Sequence, residues 1–459
     1  MNSPRELPAS LLVVNRGEIA RRIVRTAQRL AIRTVVVHAP QDADLPFVRE
    51  ADEAVALESS VPAQAYMDID RILEVARERG VEAIHPGYGF LSESFEFAEA
   101  VETAGLVWVG PASETIRTMG DKIEARGVAR RAGVPVGGGQ GQALASIEDA
   151  ISDADRIGYP VILKASAGGG GIGMSIASSA GELISAFEST RRRSEQSFGS
   201  AAVFLEPYVH AARHVEVQVL GLADGRVLSM GERDCSVQRR HQKIAEETPA
   251  PGLHDDVRVA LHRAAVVLGE AIGYRNAGTV EFLVDSATGE FTFLEVNTRI
   301  QVEHPVTELV SGIDLVEEQL RIAVGAPTTF NPEALSLAGH AIEFRVYAED
   351  SRRFFPAPGR IAHWEEPAGQ GIRVDSGYAS GNEVTQYFDP LMAKLCTYAT
   401  TRSEALALMR RALDDFVIEG PGSNLEFLRA LVESQQFTRG EYDTSIVTHL
   451  QTAISAAKG

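Results

Sequence analysis

The stretch Glu295–Glu303, EVNTRIQVE, carries Glu295, Asn297, Arg299, Gln301 and Glu303 at every second position, with Val296, Thr298, Ile300 and Val302 between them. In an extended chain successive side chains point to opposite faces, so a strand here gathers two carboxylates, two amides and a guanidinium in one row. Such a row is a ready-made reaction surface. It is equally the solvated face of a half-buried strand, and period alone favours that plainer reading.

The preceding residues, GTVEFLVDSATGEFTFLEVN, place two apolar runs around a turn rich in Asp, Ser, Thr and Gly, the pattern of a hairpin. Folding the chain back at Ala287 brings Glu281 to within about one cross-strand pair of Glu295. Like charges that close are costly unless a cation sits between them. Glu281, Glu295 and Asn297 together form an oxygen-rich pocket of the kind Mg2+ prefers, with nucleotide phosphates completing its shell.

A phosphate cover is legible upstream. YPVILKASAGGGGIGMSIA places Lys164 at the end of an apolar strand, followed by glycines from Gly168 to Gly173. Without Cβ atoms the backbone amides of such a run can fold over a phosphate chain, and the lysine supplies positive charge. No G-K-[ST] closes the run, so this is not a P-loop; a ligand-free hinge is the alternative. Glu206, at the end of the strand-like VFLEPYV, could accept from an exocyclic amine or serve as a buried cap. GERDCSVQRRHQKIAEE, Gly231 to Glu247, is dense in charge and by itself reads as a solvated loop.

The elements that must position these groups alternate. From Leu11 to about Gly110, short β-branched runs (LLVV, TVVV, LVWV) are separated by helical periods such as Ile19, Ile23, Val24, Ala27 and Leu30, which predicts a parallel α/β sheet. The first strand-to-helix turn, NRGE, holds one glycine and no G-x-G-x-x-G, so a dinucleotide site is unsupported. HPGYGFLSE, from His85, has the glycines of a loop that lets its backbone approach a ligand, or of a plain turn. PASETIRTMGDKIEARGVARRAGVP predicts two connecting helices with Lys122 near a helix start. The expected organisation is an N-terminal α/β domain over 1–118, connecting helices over 119–136, a small lid over 137–208 and a larger domain over 209–459.

At 459 residues with 44% hydrophobic content, the chain can fill about three cores. A net charge of −19 argues against nucleic acid, which needs a clustered positive excess; Arg191–Arg193 reads as a solvated helix end. No long apolar run suggests a membrane span, and MNSPRELPAS lacks an export signal. Cys235 and Cys396 cannot build a disulfide framework or a zinc site, which suits a reducing cytoplasm.

Taken together, NRGEIA, HPGYGFLSE, MGDK, the lysine–glycine lid, RHVEVQV, ERDCSVQRRHQK, VEFLVD, EVNTRIQVEHPVTE, HAIEFRVYAED and FDPLMAKL stand in the order found in the biotin carboxylase family, which the chain resembles over nearly its whole length. The resemblance implies an ATP-grasp fold, mixed α/β and α+β, with an N-terminal parallel domain, a lid and a C-terminal antiparallel-sheet domain. It implies ATP contacts from Lys122, Lys164, Gly168, Gly169, Gly170, Gly171, Gly173, Glu206, His214, Gln238, His241, Leu283, Glu281 and Glu295. Magnesium or manganese would be held by Glu281, Glu295 and Asn297, and bicarbonate by Lys243, Arg299, Gln301, Val302 and Glu303. Glu303 would be the base, Arg345 would stabilise the biotin enolate, and Tyr88 would meet biotin. The implied partners are a separate biotin carboxyl carrier protein, since no M-K-M context is present, together with a carboxyltransferase and a second copy in a homodimer. The acyl acceptor belongs to that carboxyltransferase.

Three positions depart from the family pattern. Ile172 stands within the glycine run and Ser175 after the lid methionine, where basic residues are usual, and Pro207 replaces a lysine after Glu206. These suggest a phosphate cover with less positive charge. They motivate one alternative, a nucleotide-binding regulatory or scaffold homologue with weak turnover; another ATP-grasp ligase acting on a different carboxylate is a further one.

Overall fold

The structure, a computed structural model, describes residues 6–138, 143–166 and 174–457. At the N-terminus β1 (Ser10–Val13), β2 (Arg33–His38), β3 (Glu53–Ala56), β4 (Ala83–His85) and β5 (Val107–Trp108) form a parallel sheet in the order β3-β2-β1-β4-β5. All four residues of β1 are buried, as expected when helices cover both faces of a parallel sheet. The helix Gly17–Arg29 lays Ile19, Ile23, Val24 and Ala27 into that core. Strand order reverses between β1 and β4, so the turns after these two strands open one crevice at their carboxyl ends. Asn15 crosses it, donating from Nδ2 to the carbonyls of Pro86 and Tyr88 at 2.7 Å each.

Two helices follow, Ser113–Gly120 and Lys122–Arg131. Asp121 caps the second by accepting from the amides of Ile123 and Glu124, which sets Lys122 at its first turn. Next, β6 (Val161–Ala165), β7 (Met174–Ala177) and β8 (Val203–Pro207) form an antiparallel sheet ordered β7-β6-β8, packed through Leu163, Phe187 and Leu205 on the helices Ile147–Ile157 and Ala180–Phe198.

The rest is organised on one eight-stranded antiparallel sheet. It contains β9 (Ala212–Gly221), β10 (Val227–Arg239), β11 (Gln242–Thr248), β12 (Asn276–Asp285), β13 (Phe291–Asn297) and β14 (His340–Tyr347). The order is β13-β12-β9-β10-β11-β14, continued by Leu391–Ala399 and Ile372–Ser376. In β9, Val215, Val217 and Val219 face a core shared with Leu261, Ala265 and Leu268 of the helix Asp255–Ala271. Alternation therefore turns His214, Glu216 and Gln218 to the opposite face.

Two expectations need correction. The dense charge of Gly231–Glu247 does not form a solvated loop: it is the β10–β11 hairpin, and Glu232, Arg233 and Asp234 are buried within it. Each has an opposite charge to meet, Arg258 for Glu232, Glu216 for Arg233 and Arg213 for Asp234, which is how charge survives burial. In addition, β13 stops at Asn297, so the alternating row is a strand only over its first three residues.

Candidate active site

The polar face of the large sheet carries a transverse row that no single motif contains. Glu281 of β12 pairs in register with Glu295 of β13 on one side and Glu216 of β9 on the other, and Glu216 pairs with Arg233 of β10. Three adjacent carboxylates require cations, and four basic groups meet them. Lys122 Nζ lies 2.6 Å from Glu295 Oε2, Arg233 Nε 2.7 Å from Glu216 Oε1 and His214 Nε2 2.9 Å from Glu281 Oε2. Lys243 Nζ reaches three carboxylates at once, Glu216 at 2.6 Å, Glu281 at 2.9 Å and Glu303 at 2.6 Å.

The chain delivers Glu303 to this lysine by leaving the strand. After Asn297, Arg299 Nη2 donates back to Asn297 Oδ1 at 2.9 Å, and its Nε lies 3.0 Å from Glu93 Oε2. Gln301 turns inward, donating to Glu281 Oε1 at 3.0 Å and accepting from Arg233 Nη2 at 2.9 Å. The Val302 carbonyl accepts from Lys394 Nζ at 2.9 Å. Glu303 then caps the helix His304–Ser311, whose early Pro305 is compatible with a first helical turn. Its Oε2 lies 2.9 Å from Arg345 Nη2, so one buried carboxyl is held between Lys243 and Arg345.

Burial opposes ionisation of Glu303, yet Lys243, Arg345 and Arg233 hold its carboxyl well below the usual carboxylate range. Glu281 is likewise held low, against burial, by Lys243 and His214. Glu216, fully buried, goes the other way: burial raises it, and Lys243 offsets this only in part. Burial pulls Lys243 down, but the acidic groups around it keep it well above its ordinary value and therefore charged.

On the nucleotide side, Lys164 contacts Glu206. Arg126, absent from the sequence-based set, is also packed on Glu206, donates to the Gly137 carbonyl at 2.9 Å and stacks over Phe204 with 5.3 Å to the ring centre. Gln238 reaches His214 Nδ1 at 2.7 Å, and Leu283 pairs with His214 across β12 and β9. His241 lies in the β10–β11 turn in left-handed backbone, φ +68°. Gly168–Gly171, Ile172 and Gly173 lie outside the described residues.

The other two departures receive a different account from the one expected. Ser175 pairs with Leu163 and so faces the helical layer, where it accepts from Thr190 at 2.9 Å and from Arg193 at 3.0 Å. Lys164, one position along β6, faces the opposite side. Pro207 pairs with Val161, again out of step with Glu206. Neither substitution takes a charge from the face that carries Lys164 and Glu206.

Tyr88 joins the site through the N-terminal crevice. Its hydroxyl donates to Glu18, whose Oε2 lies 3.0 Å from the fully buried Lys394. Burial and then Glu18 push the Tyr88 hydroxyl up, with Arg345 opposing.

Glu281 and Glu295, paired face to face and neutralised in this structure by lysines, fit a hard divalent cation with oxygen ligands. Asn297 fits less well as placed, because its Oδ1 is taken by Arg299 and its Nδ2 donates to Glu281 at 2.9 Å. His214, Glu216 and Glu281 also bring ligand atoms within 4.8 Å of one another, although an imidazole suits magnesium less than carboxylate oxygen.

The sequence-based set omitted Glu216, Arg233, Arg126, Glu18, Lys394 and Glu93. The signal for the first was present, since HVEVQV alternates and places His214, Glu216 and Gln218 on one face. Arg233 and Lys394 carry no local signal; their partners come from distant strands.

Comparison with known proteins gives matches along the chain. The family model described as biotin carboxylase, N-terminal domain, matches residues 8–116, that of the carbamoyl-phosphate synthase L chain, ATP binding domain, matches 121–330, and that of the biotin carboxylase C-terminal domain matches 343–449. The biotin carboxylase of Halalkalibacterium halodurans is 47% identical, covering 96% of this chain and 97% of its own length. The propionyl-CoA carboxylase alpha chain of Ruegeria pomeroyi is 43% identical, with 95% and 67% covered. The biotin carboxylase domain dimer of Hydrogenobacter thermophilus 2-oxoglutarate carboxylase, solved with MgADP, ADP and bicarbonate, superposes with a TM-score of 0.94 at 40% identity, over 97% of this chain and 99% of that one.

Proposed function

The chain belongs to the biotin carboxylase family, and on that premise we propose that it uses ATP and bicarbonate to carboxylate biotin on a separate carrier protein, by way of carboxyphosphate. It is an ATP-dependent ligase of the ATP-grasp fold, with the parallel N-terminal domain, small antiparallel lid and large antiparallel sheet that its motifs imply. The observation that carries the reading is the placement of Glu303 between Lys243 and Arg345.

Bicarbonate is held by Lys243, Arg299, Gln301 and the Val302 backbone, and Glu303 takes its proton so that the bicarbonate oxygen attacks the γ-phosphate. A positioned base contributes roughly 10²- to 10⁴-fold. Lys122, Lys164, Glu206, His214, Gln238, His241 and Leu283, with the lid glycines, surround ATP. Glu281 and Glu295, with Asn297 once released by Arg299, hold Mg2+ or Mn2+, which offsets charge on the phosphates when bound. Carboxyphosphate yields carbon dioxide and phosphate, and that phosphate takes the proton of the biotin ureido nitrogen. Arg345 then stabilises the enolate without reorganising, because its guanidinium is already fixed. Tyr88, oriented by Glu18 and Asn15, borders the biotin.

The relatives are biotin carboxylases and components of biotin-dependent carboxylases. The partners in this reading are a biotin carboxyl carrier protein, a carboxyltransferase and a second copy of the chain. No helix among the described residues is long and apolar enough to cross a membrane. Two free buried cysteines accord with a cytoplasmic setting. The alternative of a regulatory homologue without turnover finds no support, since Ser175 and Pro207 leave the Lys164 face intact.

The test is ATP turnover that depends on both bicarbonate and biotin and is lost in Glu303→Gln and Arg345→Ala. Bicarbonate-dependent turnover unaffected by either change would overturn the reading.

A further inference from the structure

Arg345 has a second acidic partner that the reading above leaves without a role. Its Nη2 lies 2.9 Å from Glu303 Oε2 and also 2.5 Å from Glu246 Oε1. Glu246 is 1% exposed, and among the described residues no hydrogen bond reaches either of its carboxylate oxygens. This is an unusual way to bury a carboxyl group, since satisfied buried acids accept several donors. Its one polar anchor is therefore the guanidinium.

Its other neighbours are largely acidic or neutral. On β14 Glu246 pairs directly with Glu343, also fully buried, which lies two residues from Arg345 on the same face. Glu343 in turn pairs with Cys396, whose thiol donates to Glu343 Oε2 at 3.3 Å, and Lys394 acts on it from the same strand. The remaining groups that act on Glu246 are Lys243 of its own strand, Tyr347 of β14, Cys235 of β10 and Glu303 at the helix start. Two paired buried carboxyls cannot both ionise readily, so the row holds a proton. Burial keeps Glu343 protonated well above the ordinary carboxylate range, while burial, moderated by Arg345, brings Glu246 up to about 7.

We propose that Glu246 is a positioning residue for Arg345, the second carboxylate that keeps the guanidinium in place when Glu303 is neutralised by the bicarbonate proton. In that step the proton passes from bicarbonate to a Glu303 oxygen and Arg345 loses one of its two anionic partners; no proton goes to Glu246. The same event favours the Glu246 carboxylate, because the charge on Glu303 opposes its ionisation. Arg345 thus enters the biotin half of the reaction still held on one side. Glu303 and Glu246 come from different elements, 57 residues apart by number, and only the sheet brings both to one guanidinium.

The inference rests on the reading of Arg345 as the residue that stabilises the biotin enolate. It is tested on the full chain with Glu246→Gln and Glu246→Asp, with free biotin as acceptor. For Glu246→Gln, bicarbonate-dependent ATP hydrolysis without biotin is expected to stay within about threefold of wild type, while biotin-dependent turnover falls about tenfold or more. The profile of kcat/KM for biotin against pH loses its ionisation near neutrality, and Glu246→Asp, which keeps the charge, recovers part of the loss. Wild-type kcat, biotin KM and pH profile in Glu246→Gln would overturn the proposal, as would equal losses in both variants and both assays, the mark of a merely structural role. Biotin-dependent turnover retained in Arg345→Ala would remove the premise, whereas its loss there with no effect in Glu246→Gln would remove this inference alone.

Discussion

Lys243 Nζ lies 2.6 Å from Glu303 Oε1, so the residue proposed to hold bicarbonate and the residue proposed to deprotonate it are ion-paired before either meets substrate. The pair explains why a base 1% exposed is ionised at all, and why it is a weak one until an incoming anion competes for the lysine. Replacing Glu303 by Gln should lower bicarbonate-dependent turnover by about 10²- to 10⁴-fold while nucleotide still binds. Steady-state kinetics with a nucleotide titration checks this.

Lys243 is the one cation that touches Glu216, Glu281 and Glu303 together. Removing it in Lys243→Met leaves buried carboxylates short of compensation, an arrangement that costs about 3–5 kcal/mol when one partner is lost. Thermal or urea unfolding should show the loss, and raising the pH should enlarge it, because Glu216 then ionises without its lysine.

Glu295 offers the metal an oxygen pair opposite Glu281, with Lys122 as the resident cation. In Glu295→Gln the Mg2+ concentration for half-maximal turnover should rise by about tenfold or more, and chelation should abolish turnover in the wild type. Metal titration at fixed ATP measures both; an unchanged magnesium requirement would count against this carboxylate as a ligand.

The orientation of Ser175 makes a contrary prediction to the one its sequence position suggests. Its hydroxyl lies on Thr190 and Arg193, away from Lys164, so Ser175→Arg should leave the KM for ATP within about twofold of wild type. The added guanidinium beside Arg193 should lower the melting temperature instead. A marked gain in ATP affinity would show that position 175 faces the phosphates.

Far from this site, Glu247 accepts from His340 Nε2, Arg402 Nε and the Tyr442 hydroxyl, each at 2.6 Å. Burial opposes its ionisation, but the His340 and Arg402 hydrogen bonds hold its carboxyl down to about 2. A depressed carboxyl contributes stability that is full above its unfolded pKa, about 4.3, and is lost as pH falls through the folded value. Glu247→Gln should therefore cost about 3 kcal/mol at neutral pH and flatten the loss of stability between about pH 4 and 2. Unfolding across that range gives the measurement.

Much of the site was legible in period and order. The hairpin that brings Glu281 opposite Glu295 follows from two apolar runs and a turn, and the observed pairing is direct. Where local reasoning failed, long-range partners had overridden local character. The charged run from Gly231 is buried because Arg213, Glu216 and Arg258 come from other elements to meet it. The alternating row breaks after Asn297 because Arg299 and Gln301 bond back to Asn297 and Glu281, and the chain turns into a helix at Glu303.

By itself, then, the sequence determined which groups exist, which lie on a common strand face and which family the chain belongs to, because side-chain parity and motif order are properties of the chain taken locally. Only the tertiary structure decided that Lys243, Arg345 and Glu246 meet around Glu303, and that Ser175 turns away. Those contacts depend on the strand order β13-β12-β9-β10-β11-β14, in which neighbours in space are distant in sequence, and on a loop that leaves its strand. The row that reads as one strand in sequence is, in space, two carboxylates on a sheet and a third carried back to them at the start of a helix.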